Sequence, residues 1–148
     1  MKIMVTGAGG FVGSRLAAYY GKKYDVWGVT HKDLDLTNEA AVFKTVENYR
    51  PDVLLHCAAI SDVAECSKKP ELSHAVNVLG TEYLAKACGK TGTKLVMCSS
   101  DQVYFRKRGE QESLDAYLEP HREDCSETPE PLYGKQKLQG EEIRLKYQ

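Results

Sequence analysis

Three glycines at Gly7, Gly10 and Gly13, set between a short apolar run and an amphipathic one, constrain this chain more than any other feature. Lys2 to Thr6 (KIMVT) has the β-rich composition of a buried strand. In the FVGSRLAAYY that follows the glycines, Val12, Leu16 and Tyr19/Tyr20 recur at helical spacing. A strand that turns within a few residues into a helix needs backbone freedom at the turn and close contact between turn and sheet, which side chains obstruct. The helix beginning there offers free N–H groups and a partial positive charge, the donor set that receives a pyrophosphate. Many β–α turns hold glycines for backbone reasons alone. The strand before and the helix after give this G-x-x-G-x-x-G its reading as a dinucleotide loop.

The same alternation runs on. Gly21 closes the first helix, Asp25 to Thr30 reads as a second strand, and DLDL (33–36) as a short further one. Thr37 and Asn38 are candidate N-caps of a helix with Val42, Phe43, Val46 and Tyr49 on one face. Pro51 ends it. Asp52 to Ala59 and Thr93 to Ser99 read as strands buried on both faces, as parallel strands are. Between them a long helix starts at Pro70, carries the stripe Leu72, Ala75/Val76, Leu79, Tyr83/Leu84, Ala87, and stops at Gly89 or Gly92. A charged stretch from Phe105 to Glu127 has little apolar periodicity. The last helix begins near Pro129 or Pro131 with Tyr133, Lys137, Leu138 and Leu145. This order predicts one α/β domain over residues 1–148: a doubly wound parallel sheet of the Rossmann type, with helices on both faces.

Composition serves mainly to exclude. The 148 residues fit one domain of ordinary size, and a formal net charge of -1 gives no electrostatic reason to bind nucleic acid or an anionic membrane. No apolar run approaches the roughly 20 residues that cross a bilayer. The N-terminal MKIMVTGAGG goes straight into a strand, which makes a poor signal peptide and predicts a cytoplasmic protein. Cys57, Cys66, Cys88, Cys98 and Cys125 are odd in number and form no C-x-x-C pair, as expected of free thiols in a reducing compartment. The four histidines are scattered, and no ligand pairs stand at zinc spacing, so no metal site is expected. His121 and Cys125 are four apart but lie in a polar loop without partners.

Open α/β sheets bind ligands beyond the carboxyl ends of their strands. Asp33 to Leu36, Cys57 to Ile60, and Ser99-Ser100 should therefore converge with the glycine loop on one edge. Asp35 could accept from an adenine amino group, or simply cap a loop or helix. Ala58 and Ala59 leave room for a ribose, or ease packing at a strand end. NAD readers place an acid at the end of the second strand for the ribose 2′-hydroxyl. Here that place reads Thr30-His31-Lys32, and Arg15 lies in the first helix. Lys32, His31 or Arg15 could pair with a 2′-phosphate, so NADP(H) is favoured, with NAD(H) the alternative.

Tyr133 and Lys137 stand at i, i+4 and share one helix face. Tyr19 and Lys23 repeat that spacing, but near the far end of a helix that runs away from the ligand edge. Ketone reduction needs a hydride on carbon and a proton on the developing alkoxide. A phenol beside an ammonium can supply that proton, the ammonium favouring the ionised form. Ser100 would donate to the carbonyl oxygen, as an oxyanion-type donor does.

MVTGAGGFVGSRL, DLDLTN, PDVLLHCAA, VNVLGT, SSDQVY and YGKQKLQGEE together resemble the extended short-chain dehydrogenase/reductases. Within these the chain is most similar to the dTDP-4-dehydrorhamnose reductase branch. The resemblance implies that Gly7, Gly10, Phe11, Val12 and Gly13 hold the pyrophosphate, that Asp35 and Leu36 flank the adenine, and that Ala58, Ala59 and Ile60 flank the ribose. It makes Asn77 a supporting polar group near the cofactor, with Ser99 on the same edge. It makes Ser100, Tyr133 and Lys137 the catalytic set, Tyr133 and Lys137 also touching the cofactor.

The implied activity is NAD(P)H-dependent reduction of a 4-keto nucleotide sugar, a related one being epimerisation or dehydration of such a sugar. A different reading is a non-catalytic NADP-binding regulatory subunit, like that of methionine adenosyltransferase. Relatives often pair through the helices holding Asn77 and Tyr133, which implies a homodimer. The chain departs from the family in three places. His56-Cys57 stands where Asn is frequent, the 105–127 stretch is long and charged, and the C-terminal substrate lobe is absent, family members continuing past the position of Gln148.

Overall fold

Strand β1 (Lys2–Thr6) is the hub of the sheet. Its Ile3, Met4 and Val5 are buried, and it pairs in parallel with β2 (Asp25–Val29) on one side and β3 (Val53–His56) on the other. β4 (Lys94–Met97) adds to β3, also in parallel, giving the order β2-β1-β3-β4. The computed structural model describes residues 1–105, 108–117, 119–126 and 128–147. From β1 the chain goes out to β2 through α1 (Phe11–Tyr20), then crosses back through α2 (Glu39–Tyr49) to β3 on the other side of β1. That reversal opens a crevice beyond the carboxyl ends of β1 and β3, where sheets of this kind take ligands.

Register explains the core. Met4, Leu54 and Leu95 stand side by side across β1, β3 and β4, all buried. They pack against Val42 and Val46 of α2 and against Leu84, Ala85, Ala87 and Cys88 of α5 (Gly80–Thr91). Each such valine or leucine contributes about 1.5–3 kcal/mol by leaving water. α1 lies on the other face, over β1 and β2, and Gly28 makes room for the turn that leads into it: a Cβ there would sit 2.9 Å from the Ala8 methyl. Helices on both faces of a parallel sheet make this the doubly wound α/β architecture the sequence predicts.

Four local expectations change. β3 and β4 are not buried on both faces: Val53 and Leu55 are half-buried, and Val96 is 42% exposed. The reason is that α1 packs mainly on β1 and β2, which leaves the far half of that face less covered. DLDL forms no strand. The Asp33 carboxylate binds Thr30 N–H (2.8 Å) and Oγ1 (2.6 Å), and Asp35 Oδ1 binds Thr37 N–H (2.9 Å) and Oγ1 (2.7 Å), so side chains satisfy the backbone locally. Asn38, accepting from Ala41 N–H at 3.0 Å, is the N-cap of α2.

The long helix is in three pieces: α4 (Pro70–His74), a π-helical turn (Ala75–Leu79) and α5, with a short α3 (Val63–Lys68) before them that periodicity did not reveal. The π turn shifts the face by one residue, which leaves Leu72 46% exposed and buries Ser73 and Asn77. A 3₁₀ turn (Asp101–Tyr104) follows β4, α6 (Leu114–Tyr117) lies in the charged stretch, and α7 (Leu132–Tyr147) ends the chain's described part. α7 buries Tyr133, Gly134, Gln136, Lys137 and Gly140 and leaves Leu145 67% exposed. The helix stands where the sequence predicts one; its buried face of polar groups and glycines was not legible from apolar periodicity. Positions 106, 107, 118 and 127 of the 105–127 stretch lie outside the described residues. Among the described residues no helix is long and apolar enough to cross a membrane, and no group of three or more His, Cys, Asp or Glu is placed to hold a metal.

Candidate active site

The crevice is built on glycine. Gly7 turns out of β1 at φ +70°, a left-handed conformation, and a Cβ there would stand 2.7 Å from the Ala58 backbone nitrogen. The turn thus presses against the chain leaving β3, and a side chain would force the two apart. Gly10 N–H donates to the Gly7 carbonyl at 2.9 Å. A Cβ on Gly13 would overlap that same carbonyl, so Gly13 sets the closeness of α1 to the turn. α1 opens with no side-chain cap and no acidic residue in its first turn, leaving its N-terminal donors for an anion.

A cavity of about 590 Å³ lies in the crevice. Gly7, Gly10, His31, Lys32, Asp35, Leu36, Ala58, Ala59 and Ile60 line it, as do Thr30 and Cys57, from the two strand ends expected at this edge, and Val76, which sequence reasoning did not single out. Phe11, Val12, Gly13, Asn77, Ser99, Ser100, Tyr133 and Lys137 are not among the lining residues. Phe11 and Val12 are exposed at the head of α1, and Arg15 is turned back onto Phe11, stacked 3.5 Å from its ring centre and donating to its carbonyl at 2.9 Å.

The residues fit a dinucleotide: a glycine cradle, an uncapped helix start and small residues after β3. At the end of β2, hydrogen bonds from the Thr30 hydroxyl and N–H hold the Asp33 carboxyl below its ordinary range. That carboxylate is committed to Thr30, and His31 and Lys32 face the cavity instead. Asp35 is likewise held low by the hydroxyl and N–H of Thr37, through Oδ1 alone.

The second part of the site adjoins the first along the same edge. Ser100 ends the segment after β4 and caps the 3₁₀ turn, accepting from Gln102 N–H at 3.2 Å. Tyr133, in the first turn of α7, lies beside Ser100, whose hydroxyl opposes the rise of the phenol's pKa. Gly134 makes this meeting possible, because a Cβ there would overlap the Gln102 carbonyl. Lys137 is one turn on, its Nζ 5.8 Å from the Tyr133 ring centre and donating to the Cys98 carbonyl at 2.9 Å. Tyr133 and Lys137 are only 8% and 6% exposed. Ser99 points elsewhere, its hydroxyl on the Glu141 carboxylate.

Burial pushes the Tyr133 phenol up from its ordinary pKa, with Cys66 adding to the rise and Ser100 opposing it. One N–H of the Lys137 ammonium is held by the Cys98 carbonyl. Burial also lowers Lys137, against the opposing influence of Cys98, Cys57 and Glu141.

A buried polar layer supports both parts. Asn77 accepts from Ile60 N–H (2.9 Å) and donates to the Ile60 carbonyl (3.0 Å) and to Gln136 Oε1 (2.9 Å); Gln136 in turn donates to Ser73 (2.8 Å). Asn77 therefore fixes the cavity wall at Ile60 and ties it to α7. His56 bridges Thr6 Oγ1 (Nδ1, 2.8 Å) and Thr81 Oγ1 (Nε2, 3.0 Å). Thr81 gives its proton to the Asn77 carbonyl, so His56 must donate from Nε2 and accept at Nδ1. Burial, with Lys137 nearby, drops its pKa from 6.5 to about 3.

Over residues 1–148 the chain matches the family described as the RmlD substrate binding domain. It is 37% identical over 145 residues to dTDP-4-dehydrorhamnose reductase of Mycolicibacterium smegmatis, covering 97% of this chain and 41% of that protein. It is 34% identical to methionine adenosyltransferase 2 subunit beta of Xenopus laevis, covering 97% of this chain and 42% of that protein. Among solved structures, dTDP-4-dehydrorhamnose reductase of Bacillus anthracis in complex with NADP superposes with a TM-score of 0.86 at 30% identity, covering 99% of this chain and 49% of that one. The chain spans less than half the length of these relatives.

Proposed function

Because the chain belongs to the RmlD substrate binding domain family, we propose that it forms the NADPH site and the Ser100/Tyr133/Lys137 catalytic set of a reductase acting on the 4-keto group of a nucleotide sugar. The observation that carries this is the second part of the site: a phenol and an ammonium, both more than nine-tenths buried, with Ser100 beside the phenol, on the edge shared with the glycine cradle. Gly7 and Gly10 with the start of α1 would hold the pyrophosphate, Asp35 and Leu36 the adenine, Ala58, Ala59 and Ile60 the ribose. His31 and Lys32 would pair with a 2′-phosphate, which favours NADP(H) over NAD(H).

When bound, the reduced nicotinamide supplies the hydride. Ser100 donates a hydrogen bond to the keto oxygen, and Tyr133 gives its phenolic proton to that oxygen as it becomes an alkoxide. A phenol pushed up by burial begins protonated, as the reducing direction requires. Lys137, anchored on the Cys98 carbonyl, keeps further N–H donors for the ribose and for the phenolate left behind.

NADPH should raise the melting temperature by several degrees, since a ligand at about 100 times its Kd adds about 2.7 kcal/mol. Lys32→Ala should reduce that rise while leaving any response to NADH unchanged. Equal melting temperatures with and without millimolar NADPH overturn the proposal. The 34% identity to a methionine adenosyltransferase subunit supports a second reading, an NADP-binding regulatory subunit. NADPH binding without reduction of any 4-keto nucleotide sugar, in a chain of the relatives' length, would favour that one.

A further inference from the structure

We propose that Cys57 and Cys98 are an oxidisable dithiol at the cofactor crevice, which a hydroperoxide converts to an intrachain disulfide. The two are 41 residues apart, and strand register joins them. β3 and β4 pair through His56 and Met97, and Cys57 and Cys98 are the next step beyond that pair. Cys57 N–H donates to the Thr6 carbonyl (3.3 Å) and Cys98 N–H to the His56 carbonyl (3.0 Å), so both backbones are held in the sheet. The sulfurs lie 3.5 Å apart, already hydrogen-bonded. A disulfide needs about 2.05 Å, so each sulfur moves by under about 1 Å. Both residues are half-buried, and Cys57 lines the 590 Å³ cavity, which gives a small oxidant a way in.

The pair is chemically distinct from the other thiols. The hydrogen bond between the two sulfurs and the nearby Lys137 ammonium hold the Cys98 thiol low, at about 6, while Cys57 is pushed up. Cys88 sits in the core, pushed up to about 12 by burial. Cys66 is buried, its S–H given to the Ile60 carbonyl at 3.2 Å. Lys137 Nζ stands on the carbonyl of Cys98 itself at 2.9 Å, so Cys98 is the attacking sulfur and Cys57 the resolving one.

The Cys98 thiolate attacks one oxygen of the hydroperoxide. The O–O bond breaks, an S–O bond forms, and protonation gives Cys98 sulfenic acid and one water or alcohol. The Cys57 sulfur then displaces that oxygen: the S–S bond forms, the S–O bond breaks, and the oxygen leaves as a second water with the Cys57 proton. Two electrons pass from the pair to the peroxide. A dithiol reductant returns them by exchange. The closed bond would tie together the strand ends that carry Ala58 and Ser99-Ser100.

The test uses the chain with Cys125→Ser, to remove the exposed thiol, and hydrogen peroxide as the probe. We expect loss of two titratable thiols and of two hydrogens in mass, a cross-linked peptide joining positions 57 and 98, and recovery with dithiothreitol. In Cys57→Ser the reaction should stop at a sulfenic acid on Cys98 that dimedone traps. Lys137→Met should slow oxidation several-fold at neutral pH and move its pH midpoint upward, with Lys137→Arg restoring the rate. Retention of both thiols under peroxide that oxidises Cys125 of the parent overturns the proposal, as does cross-linking through Cys66 or Cys88 instead. None of these readouts needs a cofactor, so failure here and failure of the proposed reductase function are told apart.

Discussion

The chain contains the spacing Tyr-x-x-x-Lys twice, at Tyr19/Lys23 and at Tyr133/Lys137, and the two copies have little else in common. Tyr19 is 69% exposed at the end of α1, edge-to-face with Tyr20. α1 stops at Tyr20, so Lys23 lies in the following turn, over the Tyr24 ring, and the pair does not share a helix. Tyr133 and Lys137 are buried on one face of α7, with Ser100, the Cys98 carbonyl and a neutral histidine beneath them. Burial is the difference. In the second copy burial raises the phenol and lowers the lysine. The spacing brings its two groups into a buried site only where neighbouring elements remove water and fix the partners.

The largest expected contrast is in turnover. In a form of the protein that reduces a 4-keto nucleotide sugar, Tyr133→Phe should cut NADPH oxidation by about 10²–10⁴ while NADPH still binds, and Tyr19→Phe should leave the rate unchanged. Equal rates for the two variants would erase the distinction. Next comes packing: Gly134→Ala should cost about 1–3 kcal/mol in urea unfolding, because a methyl there overlaps the Gln102 carbonyl and pushes α7 from the 3₁₀ turn. The first copy has Tyr20 at the matching place, and Tyr20→Ala should cost less, since α1 makes no such approach there.

The last effect is a slope with pH. His56 takes a proton at about 6.5 when unfolded and only near 3 when folded. Between those values the unfolded chain binds more protons, so stability falls as pH drops, by up to about 1.4 kcal/mol per unit. His56→Asn should flatten that slope between pH 6.5 and 4; an unaltered slope would mean the histidine beneath the second pair is not the group responsible.

Much of the fold was legible because it rests on local chemistry. Gly7 with the strand before it and the helix after it announced the crevice, and Gly7, Gly10, Asp35 and Ala58 do line one cavity. Legibility failed where polar groups took the place of apolar ones. A π turn rotated Ser73 and Asn77 inward and Leu72 outward, and no period of 3.6 anticipates an extra residue in a turn. Gln136 and Lys137 are buried because Asn77, Ser73 and Cys98 satisfy them, and those partners lie 39 to 63 residues away.

By itself, then, the sequence determined the order of strands and helices and the place of the glycine turn, because hydrophobic period and backbone freedom act over a few residues. Tertiary structure alone decided which tyrosine loses its water, which carbonyl holds Lys137, and that Cys57 and Cys98 meet. Desolvation and strand register arise only when distant segments pack.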